Sequence, residues 1–286
     1  MLSKDFLQNI SIKLKHKILS QNLIKGGNIN EVYLLQSIKN KWVVKINSNT
    51  KFHDFFKTEQ LGLNELSKSK NILSAQPVFE GEYNELRYLI LEYIEEGEKT
   101  NNFWEVFGCQ LSQMHTSTKT TFGLNFDNYI GALPQLNNKC DSWTEFYITR
   151  RLEPQLKTAI DSGYLKSVYR SFETLYGKLE QLLPKEAPAL LHGDLWCGNY
   201  IAGKNETPWL IDPSVYYGHR EMDIAMTLLF GGFNSRFYDA YNSENPLEKN
   251  WKERIPLYQL YPLLVHVNLF GEGYSNSVRS ILTRFI

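Results

Sequence analysis

Residues 191–199 combine a carboxylate and an amide at a spacing that phosphoryl transfer could use. The stretch reads L-H-G-D-L-W-C-G-N, with Asp194 and Asn199 five residues apart (199 − 194), and a second carboxylate, Asp212, follows the apolar run W-L-I. Moving a phosphoryl group from ATP to a hydroxyl needs a carboxylate that accepts the hydroxyl proton and oxygen ligands that hold Mg²⁺ against the phosphates. We therefore expect Asp194 to be the base, and Asn199 and Asp212 to bind Mg²⁺.

Protein kinases have the same Asp-to-Asn spacing in their H-R-D-x-x-x-x-N loop, and their later D-F-G aspartate binds metal. Here Gly193 replaces the arginine, and D-P-S at 212–214 replaces D-F-G. Proline disfavours helical backbone in the preceding residue, so we expect Asp212 to be extended and to be a fixed metal ligand. Each residue alone could be a turn former or a cap. The occurrence of Asp194, Asn199 and Asp212 together, in this order and between apolar segments, favours a catalytic role.

The charge balance and the cysteine content argue against several other classes of protein. The 286 residues include 31 Lys and Arg and 31 Asp and Glu, so the chain has no excess of basic residues. Its charge therefore gives no indication of nucleic acid or an anionic membrane as a partner. Three cysteines without C-x-x-C spacing argue against structural disulfides and a zinc site, and favour the cytoplasm. Residues 1–18 alternate charged and apolar residues, which predicts an amphipathic helix and not a signal peptide or membrane span.

The order of elements predicts an α+β protein of two lobes. Residues 31–38 and 41–46 read as a hairpin that turns at Lys39-Asn40, and 87–94 reads as another strand. A helix is expected over about 53–67, with an apolar face of Phe55, Phe56, Leu61, Leu63 and Leu66. Further helices are expected near 102–116, 143–160, 166–182, 220–230 and 256–270, with short strands around Leu190, Tyr200 and Leu210. We predict a small β-rich, nucleotide-binding N-lobe (1–95), a larger helical C-lobe (96–286) that carries the catalytic loop and the substrate site, and a hinge at 92–97.

Several residues of the N-lobe are candidates for nucleotide binding. Lys45, in W-V-V-K, resembles the V-A-I-K lysine that pairs with ATP phosphates and a helix glutamate, here Glu59. Both could instead be ordinary surface residues. A turn over the phosphates is the hypothesis for Gly26, Gly27 and Asn28, although an ordinary turn is nearly as good an interpretation. Adenine is expected to contact the backbone of Glu92, Tyr93 and Ile94, through the carbonyl of the first and the N–H of the last.

Longer motifs narrow the interpretation to one family. The run H-G-D-L-W-C-G-N at 192–199 is followed by D-P-S-V-Y-Y-G-H-R-E-M-D-I-A-M at 212–226. Upstream lie F-G (122–123), D-N-Y-I-G (127–131), P-Q (134–135), Trp143, Phe146, R-L (151–152) and Q-L (155–156). With Gly26, Gly27, Lys45 and Glu59, nearly the whole chain resembles the fructosamine kinase (ketosamine-3-kinase) family. The H-G-D core alone is shared with aminoglycoside phosphotransferases and choline kinases, whereas L-W and N-Y-I-G are more specific.

This resemblance implies a protein-kinase-like fold and an ATP- and Mg²⁺-dependent reaction. The acceptor would be the 3-hydroxyl of a sugar-amine adduct, namely a fructosamine, ribulosamine or erythrulosamine, free or on a protein. The phosphorylated adduct breaks down, which implies deglycation repair. By similarity, Asp194 is the base, Asn199 and Asp212 hold Mg²⁺, and Lys45 binds phosphate.

The resemblance also suggests roles for neighbouring residues. Trp196 is either part of a sugar platform or a core residue that braces the loop, and His192 is expected to orient that loop. At the start of a helix, Asp223 is expected to accept N–H bonds from the loop. Arg220 and Glu221 are expected to form an ion pair or to lie at the pocket edge.

One departure from the family pattern concerns redox behaviour, and Cys197 is a separate question. Some family members carry a regulatory cysteine in the glycine-rich turn, where this chain has Asn28, so redox control by that route is not expected. Cys197 is expected to fill a small buried apolar space, with oxidation as the alternative if its thiolate is accessible.

Two other functions remain open at this stage. A small-molecule kinase of the aminoglycoside or choline type is the alternative, and a strongly acidic pocket would favour its cationic substrate. A nucleotide-binding or scaffold protein without catalysis is the third interpretation, and it predicts ATP binding without turnover.

Overall fold

The computed structural model describes residues 1–24, 29–47 and 54–286. Its strands are β1 (Ser20–Leu23), β2 (Glu31–Gln36), β3 (Lys41–Asn47), β4 (Leu73–Ser74), β5 (Pro77–Tyr83), β6 (Leu86–Glu92), β7 (Asn128–Ile130), β8 (Leu133–Gln135), β9 (Ala189–Leu191), β10 (Tyr200–Gly203), β11 (Thr207–Leu210) and β12 (Tyr216–Gly218). Its α-helices are α1 (Lys4–Leu14), α2 (Phe55–Ser67), α3 (Asn101–Met114), α4 (Trp143–Phe146), α5 (Glu153–Asp161), α6 (Tyr169–Leu182), α7 (Glu221–Leu229), α8 (Ser235–Glu244), α9 (Trp251–Phe270) and α10 (Ser275–Phe285). Strands dominate the first third and helices the remainder, so the predicted α+β class is confirmed.

The N-terminal third is built on an antiparallel sheet in the order β1-β2-β3-β6-β5. The predicted hairpin is present as β2 and β3, and the Ser37 N–H donates to the Asn40 carbonyl at 2.9 Å to close its turn. Strands β1 and β5 were not predicted, because their short or glycine-interrupted segments give little apolar periodicity.

Two helices cover the two faces of this sheet, and strand alternation decides which side chains meet them. In β3, Val44 lies in the apolar cluster that contains Phe6 of α1. Val43 packs instead with the cluster that contains Phe56 of α2. Lys45 is two residues after Val43, so it shares that face and points toward α2.

Both helices predicted in this region are present, and one residue expected on an apolar face is exposed. The expected amphipathic helix in residues 1–18 is α1, which begins at its Ser3 cap and buries Phe6 and Ile10. In α2, Phe56, Leu63 and Leu66 are buried, but Leu61 is exposed, so its assignment to the apolar face was wrong.

The helical remainder packs around one large apolar cluster. The single helix predicted over 143–160 is α4 and α5 joined by a π-helix at Tyr147–Leu152, which widens the turn where Arg151 lies. The helices near 102–116, 166–182, 220–230 and 256–270 correspond to α3, α6, α7 and α9. Helices α8 and α10 were not predicted.

Short strands position the loops that carry the predicted chemistry. The antiparallel pairs β9–β12 and β10–β11 flank residues 192–199, and β4 joins β11 in parallel. A separate hairpin consists of β7 and β8. Within the described ranges, no helix combines the length and apolar character needed to cross a membrane. The boundary near residue 95 stays a prediction.

Candidate active site

What we call the catalytic loop, residues 192–199, where the base is predicted, is held from behind by Asp223. This carboxylate, on α7 and fully buried, accepts hydrogen bonds from the N–H groups of His192 at 2.7 Å and Gly193 at 2.9 Å. The backbone bonds expected of Asp223 are therefore present. Burial would raise the pKa of its carboxyl, but hydrogen bonds from His115 and from Gly193 hold the pKa below its usual value.

His115 is a supporting residue that the sequence reasoning missed. Its Nε2 lies 3.2 Å from the Asp223 carboxylate, and its Nδ1 lies 2.7 Å from the Tyr241 hydroxyl. All three side chains are buried. A histidine near the end of α3 carries no local sequence signal for this contact, because its partners lie more than 100 residues further along the chain.

Close packing explains why glycine replaces the kinase arginine at position 193. Gly193 has φ +83°, and a Cβ built there would lie 2.0 Å from the Ser214 carbonyl oxygen. No side chain fits at that distance, and glycine adopts positive φ without penalty. The loop can thus lie directly against residues 212–214, and the Ser214 N–H donates to the His192 carbonyl at 2.9 Å.

Asp194 and Asn199 face each other across the loop. The Asn199 Nδ2 donates to the Asp194 carbonyl at 2.8 Å and to its Oδ2 at 2.9 Å. Burial, the largest cause, and the negative charges of Asp212 and Asp223 raise the pKa of Asp194 well above its usual value, although Asn199 opposes this. A carboxylate with a raised pKa is a stronger base, as general-base catalysis requires.

The backbone of Asp212 is not extended, so that expectation was wrong. Its φ is +54°, in the left-handed region. The chain turns sharply here because the Ile211 N–H is bonded to the Asn199 carbonyl at 3.1 Å, while the Ser214 N–H is bonded to His192. Aspartate is among the few residues that tolerate this conformation. The two tertiary bonds outweigh the local preference set by Pro213.

The turn at Asp212 brings its carboxylate to Lys45, which also contacts Glu59. Lys45 Nζ lies 2.5 Å from Glu59 Oε1 and in direct contact with Asp212 Oδ1. The predicted contact with Glu59 is therefore present. Burial alone would lower the pKa of the Lys45 ammonium, but the two carboxylates outweigh burial and raise the pKa above its ordinary value. Lys45 stays charged, as a phosphate ligand must.

His192 is positioned as a brace of the loop. It is fully buried, its Nε2 donates to the Ile211 carbonyl at 2.9 Å, and its Nδ1 accepts from the Asp194 N–H at 3.2 Å. Burial lowers the pKa of the imidazole, which favours the neutral form with the proton on Nε2. These contacts agree with the orienting role expected of His192.

The segment expected to meet adenine begins at Glu92, the last residue of β6. Glu92 pairs with Trp42 of β3 and its N–H donates to the Gln76 carbonyl at 2.9 Å. The Lys41 ammonium lies 5.2 Å from the centre of the Tyr93 ring, and Ile94 is buried. Adenine contacts at these residues stay predictions. Gly26, Gly27 and Asn28 lie outside the described residues.

Asn199 and Asp212 supply a donor set that suits Mg²⁺. Both line the same cavity, and the backbone bond between Ile211 and Asn199 holds their segments side by side. Across 1–24, 29–47 and 54–286, no group of three or more His, Cys, Asp or Glu side chains forms a complete metal cage. Mg²⁺ in phosphotransferases is normally held by one or two protein oxygens together with phosphates and waters, so a carboxylate and an amide fit.

The cavity has a volume of about 900 Å³ and is lined by two chemically different groups of residues, a charged group and an aromatic one. The first contains Lys45, Glu59, Asp194, Asn199 and Asp212. The second contains what we call the aromatic wall, formed by Trp196, Phe230, His266, Phe270 and Tyr274. Neighbouring rings of the wall lie 4.8–6.4 Å apart between centroids, and burial lowers the pKa of the His266 imidazole. All carboxylates among the described lining residues belong to the charged group.

The exposed face of the catalytic loop carries Trp196 and Cys197. Trp196 is 36% exposed at the cavity and meets Phe230 edge to face at 6.3 Å, so it does not fill the core. A Cβ at Gly198 would lie 2.5 Å from the indole, so glycine is needed for this packing. Cys197 is exposed, and its expected buried role was wrong, because residues 196–198 are all exposed.

Arg220 and Glu221 are not paired with each other, contrary to one of the two expectations. Arg220 binds both oxygens of Glu186 at 2.9 Å, and Glu221 binds Arg254 at 2.5 and 3.0 Å. Neighbouring residues at the start of a helix point in different directions, so each finds a separate partner. Neither lines the cavity described above.

Comparisons with known proteins agree over nearly the whole chain. The profile of the family described as fructosamine kinase matches residues 3–286. A probable ketoamine kinase of Enterococcus faecium is 39% identical over 278 residues, covering 96% of this chain and 97% of that protein. The chloroplastic protein-ribulosamine 3-kinase of Arabidopsis thaliana is 37% identical over 268 residues, covering 92% of this chain and 81% of that protein.

Solved structures show the same likeness. The crystal structure of a candidate fructosamine-3-kinase from Thermobifida fusca matches with a TM-score of 0.89 and 32% identity, covering 99% of this chain and 98% of that one. A thermostable aminoglycoside phosphotransferase mutant, in a ternary complex with AMP-PNP and hygromycin B, matches with a TM-score of 0.67 and 14% identity over 98% of each chain. The latter likeness concerns the fold alone. The expected protein-kinase-like fold is confirmed.

Proposed function

The chain belongs to the fructosamine kinase family, and from this premise we propose that it transfers the γ-phosphate of ATP to the 3-hydroxyl of a ketosamine. One observation carries the proposal: Asp194 lines a single cavity together with Lys45 and the aromatic wall. ATP phosphates suit the charged group that contains Lys45, and a sugar-amine adduct suits the aromatic wall. The transfer would thus take place at Asp194.

Asp194 acts as the base in this proposal. Its carboxylate accepts the proton of the 3-hydroxyl as that oxygen attacks the γ-phosphorus, and ADP leaves. Asn199 fixes the carboxylate through Nδ2 at 2.9 Å, and His192 fixes the backbone of Asp194. The base is thereby oriented before the substrate arrives, which reduces the entropy lost in reaching the transition state.

Lys45 binds the ATP phosphates, and Glu59 keeps its ammonium aimed at the cavity. Asn199 Oδ1 and the Asp212 carboxylate would hold Mg²⁺. When bound, the ion neutralises phosphate charge during transfer. The carbonyl of Glu92 and the N–H of Ile94 would bind adenine, with Tyr93 between them. Gly26, Gly27 and Asn28 would cover the phosphates.

The aromatic wall favours a ketosamine over a polycationic substrate. An aminoglycoside carries several ammonium groups, which a site normally meets with carboxylates, and apart from Glu59, Asp194 and Asp212 the described lining of the cavity carries none. Ring faces instead suit the C–H surface of a sugar and a single substituted ammonium. Fructosamine, ribulosamine and erythrulosamine adducts, free or on a protein, all fit this description.

The proposed setting is deglycation in the cytoplasm. ATP is available there, and an exposed thiol such as Cys197 persists best in a reducing compartment. A phosphorylated ketosamine breaks down and releases its amine, so the enzyme would repair glycated amines.

The test is a substrate panel with the purified chain. ATP turnover is measured with ribulosyl-lysine, fructosyl-lysine, choline and an aminoglycoside, with and without Mg²⁺, and ³¹P NMR locates the new phosphate ester. We expect Mg²⁺-dependent turnover of a ketosamine with phosphate on O3. Turnover of choline or the aminoglycoside alone would contradict the proposed acceptor, and ATP binding without any turnover would favour a non-catalytic protein.

A further inference from the structure

A network of buried amide side chains lies directly behind the segment that carries Asp212. We call Asn128, Gln135 and Asn137 the amide network. They come from the β7–β8 hairpin and the residues just after it, and their exposed fractions are 5%, 1% and 0%. Buried amides are costly unless they are fully hydrogen-bonded, so such a cluster needs a reason.

The amide network binds the backbone immediately after Asp212. Asn128 Nδ2 donates to the Val215 carbonyl at 2.8 Å, and Gln135 Nε2 donates to the Ser214 carbonyl at 3.0 Å. The Ser214 hydroxyl in turn donates to the Tyr129 carbonyl in the hairpin at 2.7 Å. Two successive peptide units of the segment are thus fixed by side chains of the hairpin.

The amides also fix one another. Asn128 Oδ1 accepts from Gln135 Nε2 at 2.8 Å and from Asn137 Nδ2 at 2.9 Å. The Tyr261 hydroxyl, on α9, donates to Gln135 Oε1 at 2.8 Å. Since both oxygens are used as acceptors, neither Asn128 nor Gln135 can rotate its amide without losing several bonds. The orientation of both donors toward the segment is therefore determined.

Arg151 anchors the network from the π-helix. Its Nη2 donates to Asn137 Oδ1 at 2.7 Å, its Nη1 donates to the Leu136 carbonyl at 2.5 Å, and its guanidinium lies 3.9 Å from the centre of the Tyr216 ring. Arg151 is fully buried, and no carboxylate pairs with it among the residues described. A buried charge without a counter-charge is expensive, so its carbonyl and ring contacts must hold it rigidly.

We propose that the amide network is a positioning device for Asp212, which sets the place of its carboxylate in the cavity. The side chain of Asp212 is 45% exposed, and Lys45 is its partner among the described residues, so side-chain packing alone does not fix it. Its place follows from the backbone turn between Ile211 and Ser214, and the amide network holds the far side of that turn. The inference rests on the proposed role of Asp212 in holding Mg²⁺.

The test uses Gln135→Met, which keeps the size of the side chain and removes its donors. Gln155→Met is the matched control, because Gln155 is also buried and bonds Asn268 at 2.8 Å, outside residues 212–215. ATP binding is measured by calorimetry at stepped Mg²⁺ concentrations, alongside kcat and Tm. Substitution of residues that hold a metal ligand in place typically lowers metal affinity or activity by about 10- to 100-fold.

We expect the Mg²⁺ concentration for half-maximal ATP binding to rise about 10-fold or more in Gln135→Met, with metal-free ATP binding within about 2-fold of the parent. Both variants should lower Tm, but Gln155→Met should keep the Mg²⁺ response of the parent. Equal Mg²⁺ responses in the two variants would overturn the inference. If Gln135→Met does not fold, Tyr261→Phe decides, because it removes only the hydroxyl that orients Gln135; an unchanged Mg²⁺ response there would overturn the inference.

Asp212→Asn serves as the reference in the same titration. A Mg²⁺ response lost in Asp212→Asn and kept in Gln135→Met would show that the network does not position the ligand. An unchanged response in Asp212→Asn would overturn the metal role and the inference with it. The titration contains no acceptor sugar. If only the ketosamine assay failed, the proposed substrate would be contradicted, but the binding result would still test the inference about the amide network.

Discussion

Lys45 of β3 and Asp212 after β11 are in direct contact although 167 residues separate them in the chain. The same ammonium contacts Glu59 at 2.5 Å, so two carboxylates share one cation. The cluster carries one negative charge in excess when all three groups are ionised. A divalent cation beside Asp212 would compensate that excess, which accords with the proposed Mg²⁺ site.

Removing the proposed base should abolish most activity. Asp194→Asn keeps the shape of the side chain but cannot accept the hydroxyl proton, so kcat should fall by roughly 10²-fold or more, with the Kd for ATP nearly unchanged. Steady-state kinetics and calorimetry measure the two quantities. Asp161→Asn, at the exposed end of α5, is the control and should behave as the parent. Parental kcat in Asp194→Asn would exclude the role of base.

Glu59→Gln should weaken the use of ATP. Lys45 would keep Asp212 as its ionic partner and lean away from its present position, so kcat/KM for ATP should fall about 10-fold or more. Glu65→Gln is the matched control, because Glu65 also lies on α2 but pairs with Lys68 and not with Lys45. If both variants had the same kcat/KM, the Lys45–Glu59 contact would have no part in nucleotide binding.

Trp196→Leu should affect the sugar substrate selectively. The indole supplies flat apolar surface at the cavity, so its loss should raise KM for the ketosamine about 10-fold and leave KM for ATP unchanged. Trp251→Leu, at the start of α9 and not among the residues described as lining the cavity, controls for a general loss of tryptophan packing. An equal rise in both KM values would indicate a loop-bracing role instead.

Stability should fall as the pH drops below 6.5, in part through His219. Burial lowers the pKa of this imidazole to about 4, although the charge of Glu186 opposes the change. Its Nδ1 accepts from the Glu221 N–H at 3.3 Å, which requires the unprotonated nitrogen. Between pH 6.5 and about 4, the unfolded chain binds a proton that the folded chain does not, so stability is full above pH 6.5 and decreases toward pH 4.

Urea unfolding at pH 7.5 and pH 5 measures this effect. The parent should lose about 2 kcal/mol through this residue between the two values. His219→Phe, which can keep the stacking on Tyr258 at 5.2 Å, should show a smaller pH dependence whatever its stability at pH 7.5. His16→Gln, at an exposed position, should retain the parental dependence. An identical slope in all three would remove His219 as the cause.

Cys197 should react with iodoacetamide much faster than Cys140. Cys197 is exposed, whereas Cys140 is buried and burial raises the pKa of its thiol, so its thiolate is scarce. Mass spectrometry of partly labelled protein measures both rates. Preferential labelling of Cys140 would contradict the loop conformation described here.

The sequence predicted those parts of the site whose residues lie in local patterns. β-branched runs on either side of a turn predict the hairpin that carries Lys45. Strand alternation directs the Lys45 side chain toward the helix that carries Glu59. The bonds of Asp223 to the catalytic loop were also expected. In each case a short motif encodes the geometry.

The error at Asp212 arose because tertiary contacts override local preference. Pro213 favours an extended Asp212, but bonds to Asn199 and His192 on either side impose φ +54°. Helix α8 buries only Phe237 and Tyr241 of its ten residues, too few to give a clear periodic signal. His115 and the amide network could not be found at all, because their partners are distant in the chain.

The close approach of the Ser214 carbonyl oxygen, 2.0 Å from a Cβ built at Gly193, also limits which residues this loop can accept. Every single substitution there adds at least a methyl group, which would collide with the Ser214 carbonyl oxygen at a positive φ. The H-R-D form of the loop is therefore out of reach by a one-step change. The H-R-D form would require residues 212–214 to shift at the same time, so Gly193 and the segment that carries Asp212 constrain each other.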